Sequence, residues 1–65
     1  MILVNGDPSD VAPGTTIAAL LAARGAPDSG VAVAIDGEVV PRGAWDQTTV
    51  ADDARVEVVM AVQGG

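Results

Sequence analysis

Only one stretch of this chain has the periodicity of a helix, and that limits what it can fold into. Ile17, Leu20 and Leu21 fall at i, i+3 and i+4, which makes one apolar stripe on a segment running from Ile17 to Arg24. Ala18, Ala19, Ala22 and Ala23 favour the helix without adding bulk, and Thr15 or Thr16 can cap its first turn. Gly25 suits the position just past its end, and Pro27 prevents it from resuming. A helix of two turns is not stable by itself in water, so this one needs a sheet to lean on.

The rest of the chain supplies that sheet. Val31-Ala-Val-Ala-Ile35 alternates strictly, Asp36-Gly37 is a strong hairpin signal, and Glu38-Val-Val40 is the returning strand before Pro41 stops it. At the start, the apolar run Met1–Val4 meets the turn pair Asn5-Gly6. Asp7-Pro8 is expected to continue that turn, and a short strand around Ser9 to Ala12 to return before Pro13-Gly14. Arg42 to Thr49 has no period and reads as a loop carrying Trp45, the single aromatic residue. Asp52-Asp53 then turns the chain into a last strand, on which Val56, Val58 and Met60 share one face and Arg55, Glu57, Val59 and Ala61 the other. Large apolar groups occupy only one face of each strand, so the order ββαββ, loop, β predicts an α+β fold of the β-grasp (ubiquitin-like) plan. In it a mixed sheet of about five strands carries one main helix, with the first and last strands parallel at its centre.

At 65 residues the chain is expected to form a single domain, residues 1–65, with a flexible C-terminal tail at 62–65. A chain of that size buries only about 60% of the surface its unfolded form exposes. It has no Cys and no His, so neither disulfides nor the usual zinc ligands support the core, and stability must come from well-paired secondary structure. The same absences remove thiol nucleophiles and the commonest general base, so side-chain catalysis is not expected and no metal site is assigned. Three Arg against nine Asp plus Glu leave a formal charge of −6, which repels phosphate backbones and anionic lipid. Neither nucleic acid nor membrane is expected as a partner; a basic protein surface fits better. There is no basic n-region and no apolar run long enough for a leader or a membrane span, so the expected location is the cytoplasm.

Directly after the last strand, with Gln63 between, stands Gly64-Gly65. Glycine has no Cβ, so two in succession make a thin terminus whose carboxylate can pass through a narrow channel to a reagent. A strand that runs out into such a tail presents its own C-terminus as the reactive group.

Several segments together resemble one family. They are Val4-Asn5-Gly6, Thr15-Thr-Ile-Ala-Ala-Leu-Leu21, Val31-Ala-Val-Ala-Ile-Asp-Gly-Glu-Val-Val-Pro-Arg42, Trp45, Asp53-Ala-Arg-Val-Glu-Val-Val59 and the final Ala61-Val-Gln-Gly-Gly65. The chain is similar over nearly its whole length to the sulfur carrier proteins of thiamine biosynthesis, which are small and ubiquitin-like. The Pro-Arg-x-x-Trp loop combined with a Gly-Gly end is the specific part of that likeness. The resemblance implies that the protein is no enzyme but a covalent co-substrate of partner enzymes. An adenylating enzyme would use ATP to convert the terminal carboxylate to an acyl-adenylate. Sulfur from a sulfur-transfer protein such as a cysteine desulfurase would then replace AMP, and thiazole synthase would take the sulfur. Gly65 would be the modified residue and Gly64 its slender neighbour, with no cofactor bound and ATP and a sulfur donor used through the partners. Asp52-Asp53-Ala54 departs from the family's more usual Asp-Gly-Asp turn, and the exposed side of the helix is richer in alanine than in relatives. The small subunit of molybdopterin synthase, which shares the fold and the Gly-Gly end, is the nearest alternative; a ubiquitin-like modifier or a non-covalent interaction module are others.

The composition suits a carrier of an activated acyl group. With no Lys and no Cys, the only primary amine available to attack such a group within the chain is the N-terminal one. A docking surface can also be placed from the alternation. If Val33, Ile35, Val56 and Val58 meet the helix, then Ala32, Ala34, Glu57, Val59 and Ala61 form a mildly apolar outer face beside the tail. Trp45 reads as the seal of a core edge, with Arg42 solvated or ion-paired near it, and the alternative is a partner anchor. Asp36-Gly37 and Asp52-Asp53 read as turns, the latter solvated.

Overall fold

The computed structural model describes residues 1–26 and 30–60. Its elements are β1 (Ile2–Val4), β2 (Asp7–Ser9), α1 (Ile17–Ala23), β3 (Val31–Ile35), β4 (Glu38–Val40), a 3₁₀ turn (Arg42–Ala44) and β5 (Arg55–Met60). The strands form one sheet in the order β2-β1-β5-β3-β4. β5 is the middle strand, parallel to β1 and antiparallel to β3, and antiparallel hairpins form both edges. A five-stranded mixed sheet with one α-helix is the β-grasp fold the sequence predicts.

The packing follows from the alternation. Ile2 and Val4 on β1, Val33 on β3 and Val56 on β5 meet Ile17, Leu20 and Leu21 of α1, with Val50 and Trp45 closing the cluster. Ile2, Val4, Ile17, Leu20, Val33, Val50 and Val56 are all buried to within 2% of complete. Each such side chain contributes roughly 1.5–3 kcal/mol through removal from water, so a core this small depends on nearly all of them. Ile35 and Val58 pack against it half-buried. Met60, expected on the core face with Val56 and Val58, is instead 55% exposed. Length explains this: seven helical residues cover about 10 Å, whereas six strand residues span about 20 Å. The far end of β5 projects beyond its cover.

α1 is bounded as its sequence requires. Thr16 is the N-cap, its Oγ1 accepting from the Ala19 N–H at 3.1 Å. At the other end the Gly25 N–H donates to the Ala22 carbonyl (3.1 Å) and the Ala26 N–H to that of Leu21 (3.0 Å), with Gly25 at φ +71°. That pair of bonds is the Schellman arrangement, and the positive φ is the reason for glycine there. Pro27 lies outside the described residues.

Three segments differ from the sequence reading. β2 is Asp7–Ser9, not Ser9 to Ala12. Asn5 (φ 52°) and Gly6 (φ 82°) complete a two-residue turn by themselves, so Val4 pairs directly with Asp7 and Pro8 is a strand residue. Proline is tolerated there because β2 is an edge strand and needs no N–H on its free side. The stretch from Arg42 to Thr49 is not an aperiodic loop. The 3₁₀ turn occupies its start, the Thr48 N–H and hydroxyl both donate to the Ala44 carbonyl, and Thr49 forms an isolated bridge with Thr16. A single 3₁₀ turn is too short to leave a period in sequence. Asp52-Asp53 is an exposed turn, as expected, but its carboxylates are engaged with the N-terminal ammonium.

Candidate functional site

The chemistry implied by the sequence lies at the C-terminus, so the relevant structure is the strand that leads to it. Gly64, Gly65 and Ala61 lie outside the described residues, and the described part of the approach ends at Met60. β5 is gripped on both flanks. On one side it pairs with β3 along its whole length, from Ile35↔Val56 to Val31↔Met60, and Asp36 extends that ladder by one rung. The Asp36 N–H donates to the Arg55 carbonyl (2.8 Å) and its Oδ1 accepts from the Arg55 N–H (3.0 Å).

On the other side β1 is short. The Leu3 N–H donates to the Ala54 carbonyl (3.0 Å) and the Asn5 N–H to the Val56 carbonyl (2.8 Å), after which the main chain turns away into β2. A regular parallel ladder would next send the Val58 N–H to the carbonyl of Asn5. The left-handed backbone at Asn5 removes that carbonyl, and the side chain takes its place: Oδ1 accepts from the Val58 N–H at 2.8 Å, while Nδ2 donates to the Val58 carbonyl at 3.2 Å. Asn5 was expected only as a turn residue, and nothing in sequence spacing reveals that its amide bonds a residue 53 positions away.

The structure brings the described residues of the candidate partner surface to one side of the sheet. Ala32 lies opposite Val59, and Ala34 lies between Glu57 on β5 and Val39 on β4, so these side chains share one side of the sheet. They line a shallow depression on the side away from α1. Ala32 and Glu57 are exposed, Val59 is 60% exposed and Ala34 is half-buried. Val39, at 73% the most exposed large apolar side chain among the described residues, also belongs to this face. It was absent from the sequence-derived set, although its position opposite Ala34 follows from the Asp36-Gly37 hairpin. Val39 and Val59 thus expose apolar surface on this face, and Met60 exposes its own at the end of β5 on the other.

Trp45 is a core residue, 8% exposed, and its Nε1 donates to the Val40 carbonyl at 3.0 Å. This is the edge-seal role expected for it. Arg42 is exposed beside it and has no ion pair among the described residues. At the opposite end of β5 from Met60, the N-terminal ammonium bonds Asp53 at 2.7 Å and Asp52 at 3.0 Å. The bonds it donates to Asp53 and then Asp52 raise the ammonium's pKa above its ordinary value, and the bond accepted from the ammonium holds the Asp52 carboxyl below its own. Among the described residues no group of three or more acidic side chains converges as metal ligands would, and no helix is long and apolar enough to cross a membrane.

Comparison with known proteins agrees with this geometry. The model of the ThiS family matches residues 2–65. The crystal structure of a thiamine biosynthesis protein (ThiS) from Geobacter metallireducens is similar to this chain at 39% identity and a TM-score of 0.81, over 98% of this chain and 97% of that one. A solution structure of a thiamine biosynthesis protein from the same organism gives 40% identity and a TM-score of 0.78, over 98% and 86%. A search among curated proteins gives no match.

Proposed function

The chain belongs to the ThiS family, and on that premise we propose that it carries sulfur for thiazole formation in thiamine biosynthesis, with the Gly65 carboxylate as the carrying group. A carboxylate is a poor electrophile until its oxygen becomes part of a good leaving group. An adenylating enzyme supplies that change: the Gly65 carboxylate attacks the α-phosphorus of ATP, pyrophosphate leaves, and an acyl-adenylate remains. A persulfide on a sulfur-transfer protein attacks the acyl carbon and displaces AMP, and a thiol then cleaves the resulting acyl disulfide, leaving the thiocarboxylate and a disulfide on the thiol's side; free sulfide displaces AMP to the thiocarboxylate directly. Thiazole synthase takes the sulfur. The protein is a co-substrate throughout and contributes no catalytic side chain.

The observation that carries this reading is the course of β5. The middle strand of the sheet continues past the end of the core toward Gly-Gly, with the exposed Val39, Val59 and Met60 beside it. A rigid strand supports an acyl end that must enter another protein's active site, and the apolar outer face gives that protein a surface to hold. The absence of Lys and Cys leaves little within the chain to intercept the activated acyl group. The formal charge of −6 favours partners with a basic approach surface, and the proposed place of action is the cytoplasm.

The test is direct. The protein is incubated with ATP, a sulfide source and the adenylating enzyme, then alkylated with iodoacetamide, and intact and C-terminal fragment masses are read. The expected product is an alkylated thiocarboxylate on the fragment ending in Gly65, with Met60 alkylation excluded by the fragment map. An unmodified tail beside a modified control carrier would refute the reading. A thiocarboxylate that a molybdopterin synthase large subunit consumes and thiazole synthase does not would move the protein to the pterin branch.

A further inference from the structure

We propose that Asn5 is a positioning residue for the acyl end: its side-chain amide serves as the last rung of β1 and thereby fixes where β5 ceases to be held on both sides. This rests on the carrier reading above. Up to Val56, β5 is flanked by backbone from both β1 and β3. At Val58 the β1 flank consists of the Asn5 amide alone, which meets both main-chain polar groups of that residue at 2.8 and 3.2 Å. Beyond Val58 only β3 remains, through Val31↔Met60.

The amide therefore does two jobs at once. It allows the chain to turn sharply into β2, since asparagine tolerates φ 52° better than most side chains. It also replaces the strand backbone that the same turn has removed. Asp36 does the equivalent at the opposite end of β5 and on the opposite flank, at Arg55. These two turn residues thus reach across to β5 from different sides, one where it enters the sheet and one just before it leaves. Without Asn5, β5 can pivot on β3 from Val56 outward, and the direction in which Gly65 is presented spreads over a wider cone. Docking is largely preserved, because Ala32, Ala34 and Val39 stand on β3 and β4, which Asn5 does not touch, and a pivot on β3 keeps Val59 opposite Ala32.

This separation makes the proposal testable by kinetics. In Asn5→Gly the two-residue turn is preserved, since Gly-Gly accepts positive φ at both positions, while the amide is lost. The Val58 N–H is expected to exchange with deuterium about tenfold faster than in the wild type, with the Val33 N–H unchanged. With the adenylating enzyme, kcat for the acyl-adenylate step is expected to fall roughly fivefold while KM for the carrier stays within about twofold, because orientation and not docking is impaired. Asn5→Asp, which keeps the acceptor and loses the donor, should fall between. A folded Asn5→Gly variant with wild-type kcat would overturn the proposal and reduce Asn5 to a turn residue. So would an unchanged Val58 exchange rate. If the wild type itself is not adenylated the carrier reading fails with it, which is a different result from equal turnover in both proteins.

Discussion

Asn5, Asp36 and Trp45 each use one polar side chain to complete a backbone that the fold leaves short. Asn5 bonds Val58, Asp36 bonds Arg55, and the Trp45 indole bonds the Val40 carbonyl at the end of β4. All three are polar groups meeting main-chain partners across long or awkward connections, where an unmet group would cost more than the bond gains. Trp45 gives the plainest measurement. Trp45→Phe keeps a ring in the core but removes the donor and some volume. The expected loss is about 1–2 kcal/mol in urea unfolding, and thiocarboxylate formation at a temperature where the variant is folded should be unchanged. A rise in KM for any partner enzyme would instead mean that the indole, 8% exposed as it is, contacts that partner.

At the scale of elements, the outer face of the sheet is the proposed partner surface and lies apart from the core. Val59 lies opposite Ala32 on the side of the sheet away from α1, so a charge there meets no core. Val59→Asp is expected to cost under about 1 kcal/mol of stability, from lowered strand preference, and to weaken binding of the adenylating enzyme by about tenfold or more, measured by titration calorimetry. Equal affinity with intact folding would place the docking surface elsewhere. The face was legible in sequence because strict alternation in Val31–Ile35 assigns sides without knowledge of the topology. So were the helix, a threonine cap at its start, which the structure assigns to Thr16, and its Gly25 end, whose determinants are all local. What sequence misplaced was non-local or too short to have a period. β2 begins two residues earlier than expected because the turn closes in two residues, and the 3₁₀ turn before Trp45 reads as loop. Met60 follows the apolar alternation yet is exposed, since alternation says which side a residue faces but not where the helix above it ends. The Asn5–Val58 and Met1–Asp53 contacts join residues more than fifty positions apart in a chain whose pairing first had to be known.

For the whole molecule, the parallel pairing of β1 with β5 sets the N-terminus and the end of β5 far apart. Leu3 lies beside Arg55, so Met1 sits by the turn that begins β5, while Met60 and the path to Gly65 are at the strand's other end. The N-terminal amine, the only primary amine in a chain without Lys, is therefore held as an ammonium between Asp53 and Asp52, a strand's length from where the tail departs. This pairing also gives stability a defined dependence on pH. The ammonium's pKa is raised above its ordinary 8.0, so what it contributes is complete below that value and is lost as pH rises through the higher folded value. The Asp52 carboxyl is lowered from 3.8, so its contribution is complete above that value and is lost as pH falls through the lower folded one. The two limits enclose a plateau across neutral pH. Both groups are exposed, which keeps the effect small and sensitive to salt. Comparing urea midpoints of the wild type and Asp52→Asn from acid to alkaline pH isolates it. The difference between them should be constant across the plateau, shrink on each side, and narrow when salt is raised at neutral pH. A difference that persists unchanged at alkaline pH would show that Asp52 stabilises its turn through the bond its Oδ1 accepts from the Asp53 N–H at 3.0 Å, and not through the ammonium.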